Sequence, residues 1–266
     1  MLFLFLGFLV GIITGMLPGV HINLVASILP LSLGIGFVDL GLFFIGLSVS
    51  HNFFENIPNL LFGVGEDSAG LNGFALHNFY LKGRALLGIK LVSLGNLFSS
   101  IIFLSILPVF GFVLITVFSF FNGYSWILLF GLELFLLLKY EFKKSLLVFL
   151  VSGLLGFYSL KINLSQVLLS LFSGLFGLGS LLESKGNEWV SQHAVYGLPL
   201  TRLQVLKESV LNMVSGIFLS VIPAIGPTQA SMITDTSRDE YERLFSLGFI
   251  NGLDVFIGLF SLYLFN

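Results

Sequence analysis

The sequence predicts an all-α, polytopic membrane protein, and its composition carries the prediction. Of the 266 residues, 56% are hydrophobic and only 10% are charged, whereas charged residues make up about 25% of a typical soluble domain. A chain with so little charge cannot cover a globular surface with polar groups, so lipid must solvate much of it. The apolar residues also form continuous runs and lack the alternation of apolar and polar residues that marks a membrane β-barrel.

The apolar runs predict about seven to nine helical segments in one transmembrane domain, residues 1–266. A helix needs about 20 apolar residues to cross the hydrocarbon core, and several runs are shorter, which indicates broken or re-entrant helices. Leu91–Phe121 is too long for one straight crossing, and we expect Pro108 and Gly111 to divide it into a span and a half-span. The polar stretch Glu55–Arg84 is expected to fold back against the helices. The other runs are Leu2–Leu17, Ile22–Val38, Leu40–Ser50, Trp126–Leu138, Ser145–Leu160, Gln166–Leu182, Val210–Ile222 and Leu244–Phe265.

Two proline–glycine breaks interrupt the apolar sequence at matched positions. Pro18 and Pro223 are 205 residues apart (223 − 18 = 205), and five residues after each proline stands a polar side chain, Asn23 or Thr228. Each break also follows a run that is rich in small residues, which permit close helix packing. In the first run these residues are Gly7, Gly11 and Gly15, and in the second they are Ser215, Gly216 and Ser220.

A matched pair of breaks predicts two inverted repeats with a substrate site between them. Proline and glycine free backbone groups that hydrocarbon cannot satisfy, so such breaks persist where protein or a water-filled cavity supplies partners. Half-helix N-termini at such a site present N–H groups and a positive dipole end, which suit an anion. The alternative for each break is an ordinary proline kink between packed helices. The predicted substrate-binding residues are Pro18, Gly19, His21, Asn23, Gly226, Pro227, Thr228 and Gln229.

Several polar side chains lie within or beside the apolar runs. His51 and Glu55 are four residues apart, so they share a helix face on which each can tune the proton affinity of the other; the alternative is a solvated helix end. Asn251 and Asp254 lie three residues apart in the last apolar run, and an ionisable group at membrane depth indicates function by default. The alternative there is a hydrogen bond between helices. The candidates for coupling to Na⁺ or H⁺ are His51, Asn52, Glu55, Asn251 and Asp254.

The residue patterns do not support an enzyme. The chain has no cysteine, no His-Glu-x-x-His stretch of a metalloprotease, and no Gly-x-Ser-x-Gly elbow or phosphate-binding loop. His77 and His193 are assigned to polar loops. A net charge of −2 provides no basic surface for nucleic acid. We therefore expect no catalytic residue, no metal site and no cofactor.

Five short motifs occur along the chain and together resemble one family. They are Pro18–Asn23, Ser50–Gly63, Gly65–Ala69 with Leu81–Ala85, Pro223–Ala230 and Asn251–Phe256. They are similar to motifs of the large membrane subunit of tripartite tricarboxylate transporters, in its archaeal branch, and they appear in the same order. The similarity covers Gly7–Arg84 and about Gly216–Phe265. Two positions depart from the family pattern, because Ile22 replaces a proline and Ala224 replaces a glycine.

The resemblance implies a multi-pass protein of the cell membrane that transports a small organic anion, such as a carboxylate, by secondary transport. It places the first repeat motifs in residues 1–90, weakly matching middle helices in 91–205, and the second repeat motifs in 206–266. Accessory subunits assist bacterial members of the family. The chain ends soon after its last motif, whereas family members are usually longer, so we expect either a reduced transporter or one that a second copy completes as a homodimer.

Two other functions stay open on the sequence. A translocase for a phosphorylated lipid carrier would also use broken helices, although no lysine or arginine stands near either break. A non-catalytic scaffold subunit of a membrane complex would pack the two breaks against each other, with neither water nor ligand between them.

Overall fold

The structure is a computed structural model, and it describes residues 1–17, 36–63, 70–121, 124–139, 141–162, 189–195, 197–221, 226–234 and 239–265 together with positions 20, 22, 25, 167 and 171. These residues include ten α-helices and no β-strand. The helices are α1 (Leu2–Met16), α2 (Phe37–Phe54), α3 (Asn56–Phe62), α4 (Gly70–Leu81), α5 (Ala85–Phe121), α6 (Ser125–Lys139), α7 (Phe142–Lys161), α8 (Arg202–Val221), α9 (Pro227–Thr234) and α10 (Glu240–Phe265).

The helices have the lengths of a polytopic membrane protein. α2 and α3 join through Glu55, whose backbone is helical with φ −60° and ψ −22°, so nine separate helices result in the described part of the chain. Four helical stretches there are long and apolar enough to cross a membrane: Phe37–Phe62, Ala85–Phe112, Phe142–Lys161 and Glu240–Phe260. The prediction of an all-α polytopic membrane protein with about seven to nine helical segments is confirmed.

α1 and α2 run side by side in the same direction. The backbone of Gly7 approaches that of Phe43, and about two helical turns later Gly15 approaches His51. Residue numbers therefore rise together along the two helices. A Cβ atom at Gly15 would lie 2.6 Å from the carbonyl oxygen of His51. The small residues that precede the first break therefore bring two helix backbones into contact, as their spacing predicts.

α8 and α10 form a second parallel pair. The ammonium of Lys207 lies 3.5 Å from the carboxylate of Glu242, and further along both helices Gly216 packs against Leu253. Residue numbers again rise together along the contact. Gly216 of the second small-residue face therefore also packs against a partner helix, but it meets side chains where the first face meets backbone atoms.

Both parallel pairs require the chain to return between their helices, and the breaks lie on these return paths. α1 ends at Met16, two residues before Pro18, and α8 ends at Val221, two residues before Pro223. α9 begins at Pro227 and has eight residues. At 1.5 Å per residue it is about 12 Å long, less than half the thickness of the hydrocarbon core. It is therefore a short helix that cannot cross the membrane by itself.

α5 packs against α2 and α3 in the opposite direction. Asn52 donates a hydrogen bond to Asn96, with 3.2 Å between Nδ2 and Oδ1. Further along α3, Leu60 approaches Gly88, where a Cβ atom would lie 3.5 Å from Leu60 Cδ1. Residue numbers rise from Asn52 to Leu60 while they fall from Asn96 to Gly88, so α5 is antiparallel to α2 and α3.

α5 is parallel to α10, and this sets the relation of the two pairs. Gly95 approaches the backbone of Phe245, and Gly111 approaches the ring of Phe260. Because α5 is antiparallel to α2 and parallel to α10, the pair α1–α2 runs opposite to the pair α8–α10. Two similar helix pairs in opposite directions agree with the inverted repeats that the matched breaks predict.

The expected division of the long apolar run at Pro108 and Gly111 is wrong. α5 continues through Pro108 as one helix of 37 residues. A proline removes one backbone hydrogen bond, but neighbouring helices make such a loss tolerable in a membrane protein. Phe103 and Phe110 lie on either side of Pro108, and both belong to the apolar core shared with α10. Tertiary packing therefore holds both halves of α5 in one helix.

The described residues of the polar stretch fold back against the long helices, as their apolar side chains predict. Leu60 of α3 and Phe79 of α4 are buried in one core with residues of α5 and α10. The placement of His77 in a polar loop is wrong, because it lies in α4. Its Nδ1 atom is 2.9 Å from the carbonyl oxygen of Leu60, and its ring stacks on Tyr80. His77 is thus part of the contact between α3 and α4.

Candidate functional site

The structure describes the second break from Gly226 onward. The backbone N–H of Gly226 donates a hydrogen bond of 3.1 Å to the side-chain oxygen of Gln229, so Gln229 caps the start of α9. Pro227 is buried in the first turn. A backbone N–H at this position would have no acceptor within the helix, so proline, which has no N–H, is well suited to it. Thr228 follows it in the same turn. The predicted residues of the first break, Pro18, Gly19, His21 and Asn23, lie outside the described residues.

His51 and Glu55 face the interior between α1 and the joined helices α2–α3. Their side chains are buried, and Nε2 of His51 lies 3.7 Å from Oε2 of Glu55. The Nδ1 atom of His51 is 2.9 Å from the hydroxyl of Thr14 on α1. The imidazole therefore lies between a hydroxyl and a carboxylate. Since both ionisable groups are buried, a solvated helix end does not describe this pair.

Amide side chains of α2 and α5 meet at a point where α5 also packs against α10. Asn52 of α2 donates to Asn96 of α5, and Asn96 lies against Gly252 of α10, where a Cβ atom would be 3.1 Å from Asn96 Cγ. Asn251 precedes that glycine and is 4% exposed. We call Asn52, Asn96 and Asn251 the amide cluster. α5 thus connects a polar residue of the first helix pair with a polar region of the second.

Two polar atoms of the amide cluster have no hydrogen-bond partner in the part of the chain that the structure describes. Among the described residues, neither Nδ2 of Asn96 nor Oδ1 of Asn251 makes a hydrogen bond. Leaving a buried polar group unpaired costs about 1–3 kcal/mol. A bound polar ligand can lower that cost, and the cluster presents one donor and one acceptor for it. Amide groups of this kind bind an anion or a cation through dipoles, without net charge.

Asp254 lies one helical turn after Asn251 on α10 and is partly buried. No hydrogen bond or ion pair joins its carboxyl group to a described residue. A charged carboxylate at membrane depth is unfavourable, so such a residue is a candidate for a functional site. The part of the chain that the structure describes contains no cluster of three or more acidic residues and histidines suited to a metal ion.

A cavity of about 520 Å³ lies beside the amide cluster. Phe53 and Leu97 line it, and they directly follow Asn52 and Asn96 in the chain. Lys90, Ser93 and Leu94 line it further along α5, and the segment Gly197–Leu198 forms another wall. The size is within the range of about 300–1,000 Å³ that is usual for ligand sites.

Sequence reasoning identified five of these polar residues but missed Asn96, Lys90 and Thr14. Asn96 had a signal, because it is the one amide within the long apolar run Leu91–Phe121, and a polar residue in such a run indicates function. Lys90 stands just before the run, where a lysine is usually a charge at the membrane surface. Thr14 carried no signal, since a hydroxyl in an apolar helix usually bonds to its own backbone.

The hydrogen bond within the amide cluster has a measurable coupling energy. We expect the changes Asn52→Ala and Asn96→Ala to lower the free energy of unfolding non-additively, with a coupling of about 0.5–1.5 kcal/mol, since side-chain hydrogen bonds between membrane helices reach this range. A double-mutant cycle in detergent measures it. As a control, Asn52→Ala combined with Asn212→Ala should be additive, because Asn212 bonds to the carbonyl of Glu208 in its own helix. Additivity of the first pair would contradict a direct contact.

The sequence matches the tripartite tricarboxylate transporter TctA family over residues 1–253, from α1 into α10. It is 28% identical over 250 residues to an uncharacterized protein of Methanocaldococcus jannaschii, and this covers 90% of the chain but 62% of that relative. The chain therefore spans less than two thirds of the relative's length. No solved structure matches it. Because the match covers nearly the whole chain, including all three residues of the amide cluster, the chain belongs to the tripartite tricarboxylate transporter TctA family.

Proposed function

We propose that this protein is a secondary transporter, or the membrane-embedded part of one, for a small organic anion such as a carboxylate. The observation that carries the proposal is the amide cluster, because it is built where two oppositely directed helix pairs meet. Inverted repeats that hold a polar site between them are a recurrent design for alternating access. Membership of a transporter family supports the same activity. The cell membrane is the proposed location.

We assign substrate binding to the residues of the two breaks. The start of α9 supports this for the second break, since a helix N-terminus offers free N–H groups and the positive end of the helix dipole. One of these N–H groups, that of Gly226, already donates a hydrogen bond to the side chain of Gln229. The proposal requires Pro18–Asn23 to approach Pro227–Gln229. A distance of more than about 20 Å between them, roughly two helix diameters, would contradict it.

Ion coupling is assigned to the buried ionisable groups. Asp254 and Asn251 offer carboxylate and amide oxygens, which are the ligands that Na⁺ prefers, and an interrupted backbone can add carbonyl oxygens. His51 and Glu55 instead suit a proton, because two neighbouring titratable groups in a buried site can exchange one. The two assignments give different ion dependences, so they are separable by experiment.

Uptake by the purified chain in liposomes tests the proposed function. A panel of radiolabelled mono-, di- and tricarboxylates is offered under an inward Na⁺ gradient, an inward proton gradient, or neither. We expect one carboxylate class to accumulate under one gradient, and to stop when the gradient is collapsed. Static light scattering on the same sample reports whether the chain is a homodimer. Failure of every carboxylate, including in the presence of candidate accessory subunits, would exclude this function in favour of a scaffold or a lipid-carrier translocase.

The change His51→Gln separates the two coupling routes. Glutamine keeps a hydrogen-bonding side chain towards Thr14 but cannot take up a proton. If protons drive transport, we expect proton-driven uptake to fall by about tenfold or more, because the variant lacks a side chain that accepts and releases a proton. If Na⁺ drives transport, uptake should change little. His193→Gln is the control, because His193 lies outside the helices in the segment bonded to the backbone of Gly83.

A further inference from the structure

The cavity beside the amide cluster has one cationic side chain and otherwise mainly apolar walls. Lys90, Ser93, Leu94 and Leu97 are spaced at three- and four-residue steps, so they form one face of α5. From Lys90 to Leu97 this face is about 10 Å long. Its polar residues stand at the start of the face, near the start of the membrane-crossing stretch Ala85–Phe112. Its apolar residues lie deeper.

Lys90 differs from other lysines of the described residues in its surroundings. No carboxylate of the described residues lies within ion-pair distance of its ammonium, in contrast to Lys82, which pairs with Glu240, and Lys144, which pairs with Glu141. A lysine near the membrane surface can pack its methylenes along apolar walls and direct its ammonium towards the polar side. The ammonium is therefore positioned to receive an anionic group at the shallow end of the cavity.

We propose that this cavity binds an amphiphile with one anionic head group and an unbranched hydrocarbon tail, such as a fatty acid. The head group pairs with Lys90 and accepts a hydrogen bond from Ser93, and the tail lies along Leu94, Leu97 and Phe53. A tricarboxylate does not fit this site, because a single ammonium cannot compensate several charges against apolar walls. The proposal concerns a second site and stands apart from the transported solute.

Photo-crosslinking of the full chain tests the proposal. The purified protein is placed in phosphatidylcholine vesicles with a dodecanoate that carries a diazirine in mid-chain, and the labelled peptides are identified by mass spectrometry. We expect the label on α5 around residues 93–97, and we expect unlabelled dodecanoate to compete. Dodecanol, which lacks the charge, and citrate, which lacks the tail, should compete poorly. Equal competition by dodecanol or by citrate would overturn the proposal.

Substitutions test the two ends of the cavity separately. Lys90→Gln should raise the dodecanoate concentration needed for competition about tenfold, the usual effect of losing one charge-assisted hydrogen bond, whereas Lys90→Arg should restore it. Lys143→Gln removes an exposed lysine of α7 and should have no effect. Ser93→Phe keeps Lys90 but fills the cavity, and should abolish labelling of α5. Unchanged labelling in Lys90→Gln or in folded Ser93→Phe would overturn the proposal.

One further arm identifies the source of the amphiphile. The vesicles are prepared with an increasing share of phosphatidylglycerol, which has one anionic head group and two tails. If only free dodecanoate competes with the probe, the occupant has a single tail, as proposed. Equal competition by phosphatidylglycerol would show that the cavity takes a two-tailed membrane lipid and would overturn the single-tailed occupant, and competition by neither would contradict an anionic amphiphile.

Discussion

The change Asp254→Asn is expected to abolish gradient-driven uptake and to leave the protein folded. Asparagine has nearly the same size and keeps the ability to hydrogen-bond, but it removes the charge that a bound Na⁺ or proton would neutralise. The carboxyl group has no protein partner among the described residues, so its removal breaks no ion pair. The measurement is the initial rate of uptake in liposomes, together with the melting temperature of the purified variant.

Asp39→Asn provides the matched control for this change. Asp39 stands in the first turn of α2, at the end of a membrane-crossing stretch, and the same substitution there should leave uptake and its ion dependence unchanged. Asp254→Glu, which keeps the charge, should retain partial uptake. If Asp254→Asn transports at the normal rate with the normal ion dependence, Asp254 takes no part in coupling. Coupling must then be sought at the uncharged residues Asn23, Thr228 and Gln229.

The change Gly248→Ala is expected to destabilise the fold strongly, although it adds a single methyl group. A Cβ atom at Gly248 would lie 2.6 Å from the carbonyl carbon of Val92, so α5 and α10 must move apart. Overpacking of a well-packed contact costs roughly 1–3 kcal/mol, and this contact is one of backbone against backbone, which cannot adapt by a rotamer change. The measurement is the free energy of unfolding in detergent or the yield of folded protein.

Two glycines of the same helices provide the controls. At Gly258 of α10 and Gly41 of α2, no atom of the described residues lies within 4 Å of an added Cβ atom, so Gly258→Ala and Gly41→Ala should be neutral or stabilising. Alanine is the better helix former by about 1 kcal/mol. Gly46→Ala should behave like Gly248→Ala, because a Cβ atom there would lie 2.9 Å from the backbone nitrogen of Phe8. Equal stability of Gly248→Ala and Gly258→Ala would contradict the close helix contact.

The membrane class, the small-residue faces and the helix ends before the two prolines were predictable from the sequence, because each depends on local composition. Hydropathy adds up along a run, and glycines four residues apart face the same way whatever their partner. The His51–Glu55 pair followed from helical spacing for the same reason. The helix break expected at Pro108 was wrong, since side chains of α10 pack on both sides of that proline and outweigh one lost hydrogen bond.

Only the tertiary structure decided which polar groups meet and in which direction the helices run. The contact between Thr14 and His51 joins residues 37 apart, and that between Asn52 and Asn96 joins residues 44 apart. Local periodicity places a side chain on a helix face but does not choose the helix opposite it. That choice depends on the packing of α5 between two helix pairs of opposite direction, so the amide cluster and the cavity at Lys90 exist only in the folded chain.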